Sequence, residues 1–145
     1  MTNQTNHINH TNHINHINKT AIITGASRGI GAAIAKKLAS CGYNLSLCCR
    51  NSSDRLKALA DELHCAYGIE VLCYTGNVGD FFFAKDMVTK TISHFGHIDV
   101  LINNAGISHI GLLSDMTPEE WNNIVAINLT GVFNFTSSSP LYGCR

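Results

Sequence analysis

The stretch TGASRGIG, Thr24–Gly31, follows the apolar run Ala21–Ile23 near the start of the first apolar segment of the chain. An apolar run that ends in a glycine turn and leads into a helical pattern is typical of a parallel α/β sheet. Gly25 lets the chain leave the strand sharply, Gly29 leaves room for approaching phosphates, and Gly31 lets the helix pack closely on the strand. Free N–H groups and the positive end of the helix dipole then face an anion. The turn therefore predicts nucleotide binding, although its spacing is G-x-x-x-G-x-G rather than the commoner G-x-G-x-x-G.

Strand and helix patterns alternate on both sides of this turn. Apolar runs predict strands at 20–24, 43–49, 69–76 and 98–104, and helical spacing predicts helices at 29–41, 53–66, 80–95 and 118 to about 135. Thr117, Pro118 and Glu120 form the N-cap, first position and capping box of the last helix. Because strands alternate with helices, we predict an α/β fold: a Rossmann-like, doubly wound parallel sheet, of which this chain is the N-terminal portion.

Helical spacing also gives each helix an apolar face. Ile30, Ile34 and Leu38 form one face of the first helix, and Leu56, Leu59, Ala60 and Leu63 recur at helical spacing in the second. The residues predicted to point inward are Phe83, Met87, Val88 and Ile92 in the third helix and Trp121, Ile124, Val125 and Leu129 in the last.

Composition excludes several classes of protein. The 145 residues suffice for one domain, and their net charge of zero argues against nucleic-acid binding. No apolar run approaches the ~20 residues that span a bilayer, and no basic start leads into an apolar block, so we expect neither a membrane segment nor a secretory signal. The six cysteines form no CxxC pair, which predicts buried, reduced thiols in a cytoplasmic protein.

The first 18 residues differ in composition from the rest. His7, His10, His13 and His16 recur every third residue among asparagines, and asparagine disfavours helix and strand interiors. We therefore predict a disordered Asn/His-rich tail at 1–18 without a metal site. The alternative is a tract whose imidazoles chelate zinc or nickel.

Three motifs together resemble the short-chain dehydrogenase/reductase family. They are TGASRGIG after the first strand, NNAG (Asn103–Gly106) after the fourth strand, and INLTGVF (127–133) in the last helix. The likeness extends over residues 19 to about 137, and within the family it is to the 3-oxoacyl-[acyl-carrier-protein] reductase type. The resemblance implies that residues 19–145 are an incomplete NADP-binding Rossmann domain.

The resemblance also implies roles for individual residues. Asn128 matches the asparagine of the family's Asn-Ser-Tyr-Lys catalytic set, where it helps to hold a proton-relaying water. Read from the residue alone, Asn128 is a polar side chain satisfied inside a helix. Asn103 would brace the sheet. The implied cofactor-binding residues are Gly25, Ser27, Arg28, Gly29, Ile30, Gly31, Arg50, Asn77, Val78, Asn104, Ala105 and Gly106.

The end of the second strand indicates which cofactor is bound. An acidic side chain about 20 residues after the glycine turn would bind the ribose 2′-OH of NAD. Here the sequence is CCRNSS, with Arg50 at the strand end, and Arg28 lies in the turn. Because two guanidinium groups suit a 2′-phosphate, we expect NADP(H) rather than NAD(H). The alternative is that either arginine is a solvated surface charge.

The sequence departs from the family pattern at two places. The family usually has Asp-Val after the third strand, where this chain has Asn77-Val78, and we expect binding to survive because asparagine also forms hydrogen bonds. The family's serine and Tyr-x-x-x-Lys motif are absent, and Tyr142 is not that tyrosine. We therefore expect a truncated or frameshifted reductase that is inactive by itself.

Three functions are compatible with these patterns. The first is the cofactor half of an NADPH-dependent carbonyl reductase whose substrate is a 3-oxoacyl thioester or another ketone, including one on a modified protein side chain. Its full-length form would be a homo-oligomer. The second is a non-catalytic NADP-binding module. The third is a metal-buffering protein that works through its histidine tail.

Overall fold

A computed structural model of the chain describes residues 19–140. Four strands alternate with helices in chain order, as predicted. The elements are β1 (Thr20–Thr24), α1 (Gly29–Ser40), β2 (Asn44–Cys49), α2 (Ser53–Tyr67), β3 (Val71–Thr75), α3 (Phe81–Phe95), β4 (Val100–Ile102), α4 (Pro118–Val125) and α5 (Gly131–Ser138). A short 3-10 turn lies at Leu113–Asp115, and a π-helical turn at Ala126–Thr130 joins α4 to α5.

The strands form one parallel sheet in the order β3-β2-β1-β4. Helices α1 and α2 cover one face of this sheet, and α3 and α5 cover the other. This arrangement confirms the predicted Rossmann-like fold. Since all four strands run in the same direction, their carboxyl ends meet at one edge, where ligands bind in such sheets.

The two central strands form the centre of the core. Ile22, Ile23, Leu45 and Leu47 are completely buried, and every residue of β1 is buried. A small polar network crosses the core as well, because Ser46 and Thr91 share a hydrogen bond of 2.7 Å and Thr91 donates to the Met87 carbonyl. Buried polar groups of this kind are stable only when paired.

The predicted apolar face of α1 packs against the core at Ile34 and Leu38 but not at Ile30. Ile30 is 74% exposed, and Ile34 and Leu38 are only partly buried, whereas the small residues Gly31, Ala35 and Ala39 face the sheet. A Cβ at Gly31 would lie 2.5 Å from the Gly25 carbonyl oxygen. Close helix–sheet contact therefore selects small residues over larger apolar ones. The α2 and α3 faces agree with the prediction.

The predicted inward face of the last helix is wrong. Trp121 is 54% and Leu129 is 67% exposed, whereas Ile127 and Phe135 are buried. The π-helical turn at Ala126–Thr130 accounts for Leu129, which lies within it, because the wider turn departs from 3.6-residue spacing. It does not account for Trp121, which precedes the turn in α4.

The cysteines are not uniformly buried. All five in the described range are free thiols, but Cys65 and Cys73 are exposed, contrary to prediction. Cys65 lies on the outer side of α2, and Cys73 lies on the edge strand β3. Burial raises the pKa of Cys48 to about 12. Although the residue as a whole is exposed, the Cys73 thiol is partly buried against the Leu56 carbonyl, which raises its pKa to about 11, so both thiols are protonated at neutral pH. Cys144, Tyr142 and the predicted tail at 1–18 lie outside the described residues.

Candidate functional site

A cavity of about 820 Å³ opens at the carboxyl edge of the sheet. Segments that follow each of the four strands line it, together with two residues from the α4 region. The lining residues are Gly25, Ser27, Arg28, Gly29, Ile30, Cys49, Arg50, Asn51, Ser52, Gly76, Asn77, Val78, Asn104, Ala105, Gly106, Ile107, Asn123 and Ile127. Its volume is typical of a site for a small molecule or cofactor.

The glycine turn after β1 forms the middle of the cavity wall. Gly25 and Gly29 have φ angles of +67° and +57°, a region that favours glycine. A Cβ at Gly25 would lie 2.8 Å from the Ala105 Cα, whereas a Cβ at Gly29 would meet nothing within 4 Å. The turn is therefore packed tightly on its inner side and open at Gly29, which leaves space for a ligand against the backbone.

The N-terminus of α1 has no side-chain cap. Its N-cap residue is Arg28, whose backbone is extended and whose side chain accepts no hydrogen bond from the helix. The first turn also has no acidic residue. Since the first N–H groups of a helix have no partner within it, they are available to an anion in the cavity.

Two arginines give the cavity a positive charge. Arg28 and Arg50 line it and are exposed, and no acidic side chain is among its lining residues in the described range. Neither guanidinium group forms an ion pair with another residue at positions 19–140. Both groups are therefore available to a doubly charged phosphate.

Asn104 and Thr24 fasten the glycine turn to β4. The Thr24 hydroxyl accepts hydrogen bonds from the N–H groups of Asn104 and Ala105, each at 3.0 Å. The Asn104 amide donates to the carbonyls of Thr24 and Gly25 at 2.9 and 3.2 Å. Asn103 instead donates to the Thr136 hydroxyl at 3.2 Å. The side chain that joins the β1 turn to β4 is therefore Asn104, and Asn103 joins the sheet to α5.

Asn77 shapes the wall after β3. Its Oδ1 atom accepts a hydrogen bond from the Gly79 N–H at 3.0 Å, and Asp80 N–H donates to its backbone carbonyl at 3.0 Å. Val78 is buried beneath this turn, where a Cβ at Gly131 would lie 2.9 Å from its Cγ2 atom. The backbone of this segment is thus fixed by the turn and by α5.

Asn128 braces the loop that follows β4. Its Oδ1 accepts from the Ile107 N–H at 2.9 Å, and its Nδ2 donates to the Ile107 carbonyl at 2.8 Å. Asn128 lies in the π-helical turn and is not among the cavity-lining residues. Its amide is therefore satisfied by backbone, and it positions Ile107, which does line the cavity.

The structure brings together all the predicted cofactor-binding residues except Gly31, which lies under the turn and does not line the cavity. Sequence reasoning missed part of the lining: Cys49, Asn51, Ser52, Gly76, Ile107, Asn123 and Ile127. The strand ends could have revealed five of these, because they directly follow or end β2, β3 or the NNAG segment. Asn123 and Ile127 carry no comparable signal.

Within positions 19–140, no three His, Cys, Asp or Glu side chains are arranged to hold a metal ion. No helix of this range has the length and apolar character required to cross a bilayer.

Known proteins match both the sequence and the fold. A family model described as short chain dehydrogenase matches residues 19–140. The chain is 43% identical to a 3-oxoacyl-[acyl-carrier-protein] reductase of Staphylococcus epidermidis over 116 residues. This match covers 80% of this chain and 47% of that protein. It is 38% identical over 118 residues to an acetoacetyl-CoA reductase of Rhizobium meliloti, which covers 81% of this chain and 46% of that protein.

A solved structure gives the same result. An alcohol dehydrogenase from the archaeon Thermococcus sibiricus, complexed with 5-hydroxy-NADP, superposes with a TM-score of 0.78 at 38% identity, over 83% of this chain and 51% of that chain. The chain spans about half the length of the curated relatives it matches. The family model matches residues 19–140, and the same residues form a parallel sheet with a glycine turn that leads into an uncapped helix. The chain therefore belongs to the short-chain dehydrogenase/reductase family of oxidoreductases.

Proposed function

We propose that this chain binds NADP(H) in the cavity at the carboxyl edge of its sheet. The observation that carries the proposal is the pairing of an uncapped α1 N-terminus with two unpaired arginines on one cavity wall. Such a wall suits a ligand with two separate phosphate groups, one at a helix N-terminus and one between guanidinium groups.

The order of the strands suggests how the dinucleotide lies. In the order β3-β2-β1-β4, the glycine turn after β1 would hold the pyrophosphate. Arg50 after β2 and Arg28 would bind the 2′-phosphate of the adenosine ribose. The adenine would then lie toward Asn77 and Val78 after β3, and the nicotinamide side toward the segment Asn104–Ile107 after β4.

We propose that the whole protein is an NADPH-dependent carbonyl reductase. Bound NADPH would supply a hydride for a ketone. Two relatives are named as reductases of a 3-oxoacyl thioester and of acetoacetyl-CoA, which favours a thioester-bound ketone as substrate. Another ketone, including one on a modified protein side chain, is the alternative. A cytoplasmic homo-oligomer completes the proposal, with residues 19–145 as its dinucleotide-binding unit.

A second candidate is a non-catalytic NADP-binding module. None of Tyr43, Tyr67 and Tyr74 is followed four residues later by lysine. The resemblance to the family assigns proton transfer to such a pair, and positioned acid–base groups typically contribute about 10²–10⁴-fold to rate. We therefore propose that these 145 residues bind cofactor without reducing a ketone themselves. In a fluorescence assay of NADPH oxidation with an acetoacetyl thioester, a rate above the uncatalysed background would contradict this.

Isothermal titration of the 145-residue chain with NADPH and NADH tests the cofactor assignment. We expect saturable binding of both, with NADPH about tenfold tighter or more. Arg50→Ala should weaken NADPH binding about thirtyfold and leave NADH nearly unchanged, because only NADPH carries the 2′-phosphate. Arg55→Ala is the matched control, since Arg55 is exposed on α2 and does not line the cavity. Equal losses for both cofactors in Arg50→Ala would rule out the 2′-phosphate contact, and no binding of either would rule out the site.

A further inference from the structure

Asn77 presents its side-chain amide to the cavity. An asparagine has one accepting oxygen and one donating nitrogen, whereas an ionised aspartate has two accepting oxygens. The Asn77 Oδ1 atom receives the Gly79 N–H at 3.0 Å. Because a backbone N–H must be accepted by an oxygen, this contact fixes the orientation of the amide. The group that Asn77 has left for a ligand is its Nδ2 donor.

The Nδ2 atom is available for such a contact. No hydrogen bond from it to another residue of the described chain is present, and it is not a buried orphan atom. Asn77 lines the cavity next to Gly76 and Val78 at the end of β3. On the proposed order of the dinucleotide across the sheet, this is the position of the purine base.

We infer that Asn77 makes this site tolerant of the group at position 6 of the purine, so that it binds hypoxanthine dinucleotides about as well as adenine ones. Adenine presents a 6-amino donor and the acceptors N1 and N7, whereas hypoxanthine presents a 6-oxo acceptor, an N1–H donor and the acceptor N7, so the two bases differ in sign at positions 6 and 1 and share N7. An amide donor finds an acceptor on either base. An aspartate at this position would accept from the 6-amino group and repel the 6-oxo group.

The inference rests on the proposed binding of NADP(H), and it concerns the base rather than the phosphates. Asn77→Asp is a sharp test because the two side chains have the same shape. The first carboxylate oxygen still accepts the Gly79 N–H, and only the atom that faces the ligand changes from donor to acceptor. The new negative charge also repels the ligand phosphates, but it does so equally for the adenine and hypoxanthine forms, so their affinity ratio isolates the contact with the base.

The experiment is isothermal titration of the 145-residue chain with NADPH and with reduced nicotinamide hypoxanthine dinucleotide phosphate. For the unmodified chain we expect dissociation constants within about threefold of each other. Asn77→Asp should prefer NADPH by about tenfold. Asn122→Asp adds the same charge on exposed α4 away from the cavity and should leave the ratio unchanged.

Two results would overturn the inference, and they differ from each other. A preference of the unmodified chain for NADPH well beyond about threefold, or an affinity ratio that Asn77→Asp leaves unchanged, would show that another group selects the base, while the proposed cofactor binding stands. Failure of the folded chain to bind either dinucleotide would remove both the inference and the proposed function. Circular dichroism of each variant establishes that it is folded.

Discussion

Helices that begin at the cavity and helices that begin elsewhere differ in how their first turns are satisfied. The N-cap residues of α1 and α2, Arg28 and Ser52, line the cavity and provide no side-chain cap. Away from the cavity, Asp80 caps α3 with a 2.8 Å bond from the Phe82 N–H, and Thr117 caps α4 in a full capping box. Side-chain caps typically stabilise a protein by about 1 kcal/mol each.

The comparison indicates that the N-terminus of α1 lacks the stabilisation of a side-chain cap and is instead available to a ligand. An uncapped first turn leaves backbone N–H groups without partners in the free protein. At α1 these groups face a cavity that also contains two arginines, so a bound anion can satisfy them. At α3 and α4, where no ligand is expected, the side chains of Asp80 and Thr117 accept hydrogen bonds from these N–H groups. Exchanging the two kinds of N-terminus should therefore move stability and affinity in opposite directions.

Arg28→Asp should give the largest effect, because it places a cap where the proposed ligand binds. The extended backbone of residue 28 is the conformation of an N-cap, so the new carboxylate can accept from the first turn of α1. We expect the free energy of unfolding to rise by about 1 kcal/mol and the dissociation constant for NADPH to rise about a hundredfold. Urea denaturation and isothermal titration measure the two quantities.

Arg28→Ala separates the lost guanidinium from the added cap. It should weaken NADPH binding only about tenfold and bring no gain in stability. If the Asp and Ala variants bind NADPH equally, the N–H groups of α1 do not hold the pyrophosphate.

The same contrast explains how much of the site was accessible from sequence. Gly25, Gly29 and Arg50 were predicted because backbone geometry or charge requires those residue types at those positions. Asn51 and Ser52 were missed because their role depends on lying at a strand end beside the cavity, which many polar residues could do. The absence of a cap at α1 is visible in the sequence, since Arg28 is a poor N-cap, but the cavity in front of it is not.

Helix faces show the corresponding limit for the fold. Strands and helices were predicted correctly because apolar runs and spacing are local properties. On α1, Ile34 and Leu38 pack against the core, but Ile30 is exposed because close approach to the sheet selects Gly31 and Ala35, and the distance between elements is set by the whole fold. The exposed Leu129 lies within a π-helical turn that helical spacing alone does not reveal, whereas Trp121 lies before that turn, in α4.

Removing a cap away from the cavity is the reverse experiment and should have a smaller effect. Asp80→Ala deletes the acceptor for the Phe82 N–H at the start of α3. We expect the free energy of unfolding to fall by about 1 kcal/mol, with the NADPH dissociation constant changed by less than about twofold. Asp86→Ala is the matched control on the same helix, because it removes only an exposed pair with Lys90. Asp86→Ala should lower the free energy of unfolding by only a few tenths of the loss in Asp80→Ala. A large loss of NADPH affinity in Asp80→Ala would contradict the proposed difference between the two kinds of helix N-terminus.

The smallest effect concerns the charge in the capping box of α4. The backbone N–H of Thr117 donates to Glu120 at 2.8 Å and lowers the pKa of that carboxyl below its ordinary 4.5, with a further contribution from His109 at 3.8 Å. Because the pKa is lower in the folded chain, the charge contributes to stability above the ordinary pKa, and the contribution disappears as the pH falls through the folded value. Glu120→Gln keeps an acceptor for Thr117 but removes the charge.

Urea denaturation of both proteins at pH about 7, about 5 and about 3 measures this contribution. The unmodified chain should be more stable than Glu120→Gln at pH about 7 and at pH about 5, both above the ordinary pKa of the Glu120 carboxyl. At pH about 3 the difference should shrink as Glu120 takes up a proton. Glu119→Gln, whose carboxylate makes no capping hydrogen bond, should show a smaller difference at neutral pH. A difference in the free energy of unfolding between the chain and Glu120→Gln that stays constant across this range would mean that the capping box stabilises α4 through the geometry of its hydrogen bonds alone. The first turn of α4 would then gain nothing from the negative charge of Glu120, whereas the first turn of α1 is proposed to gain from the negative charge of a bound ligand.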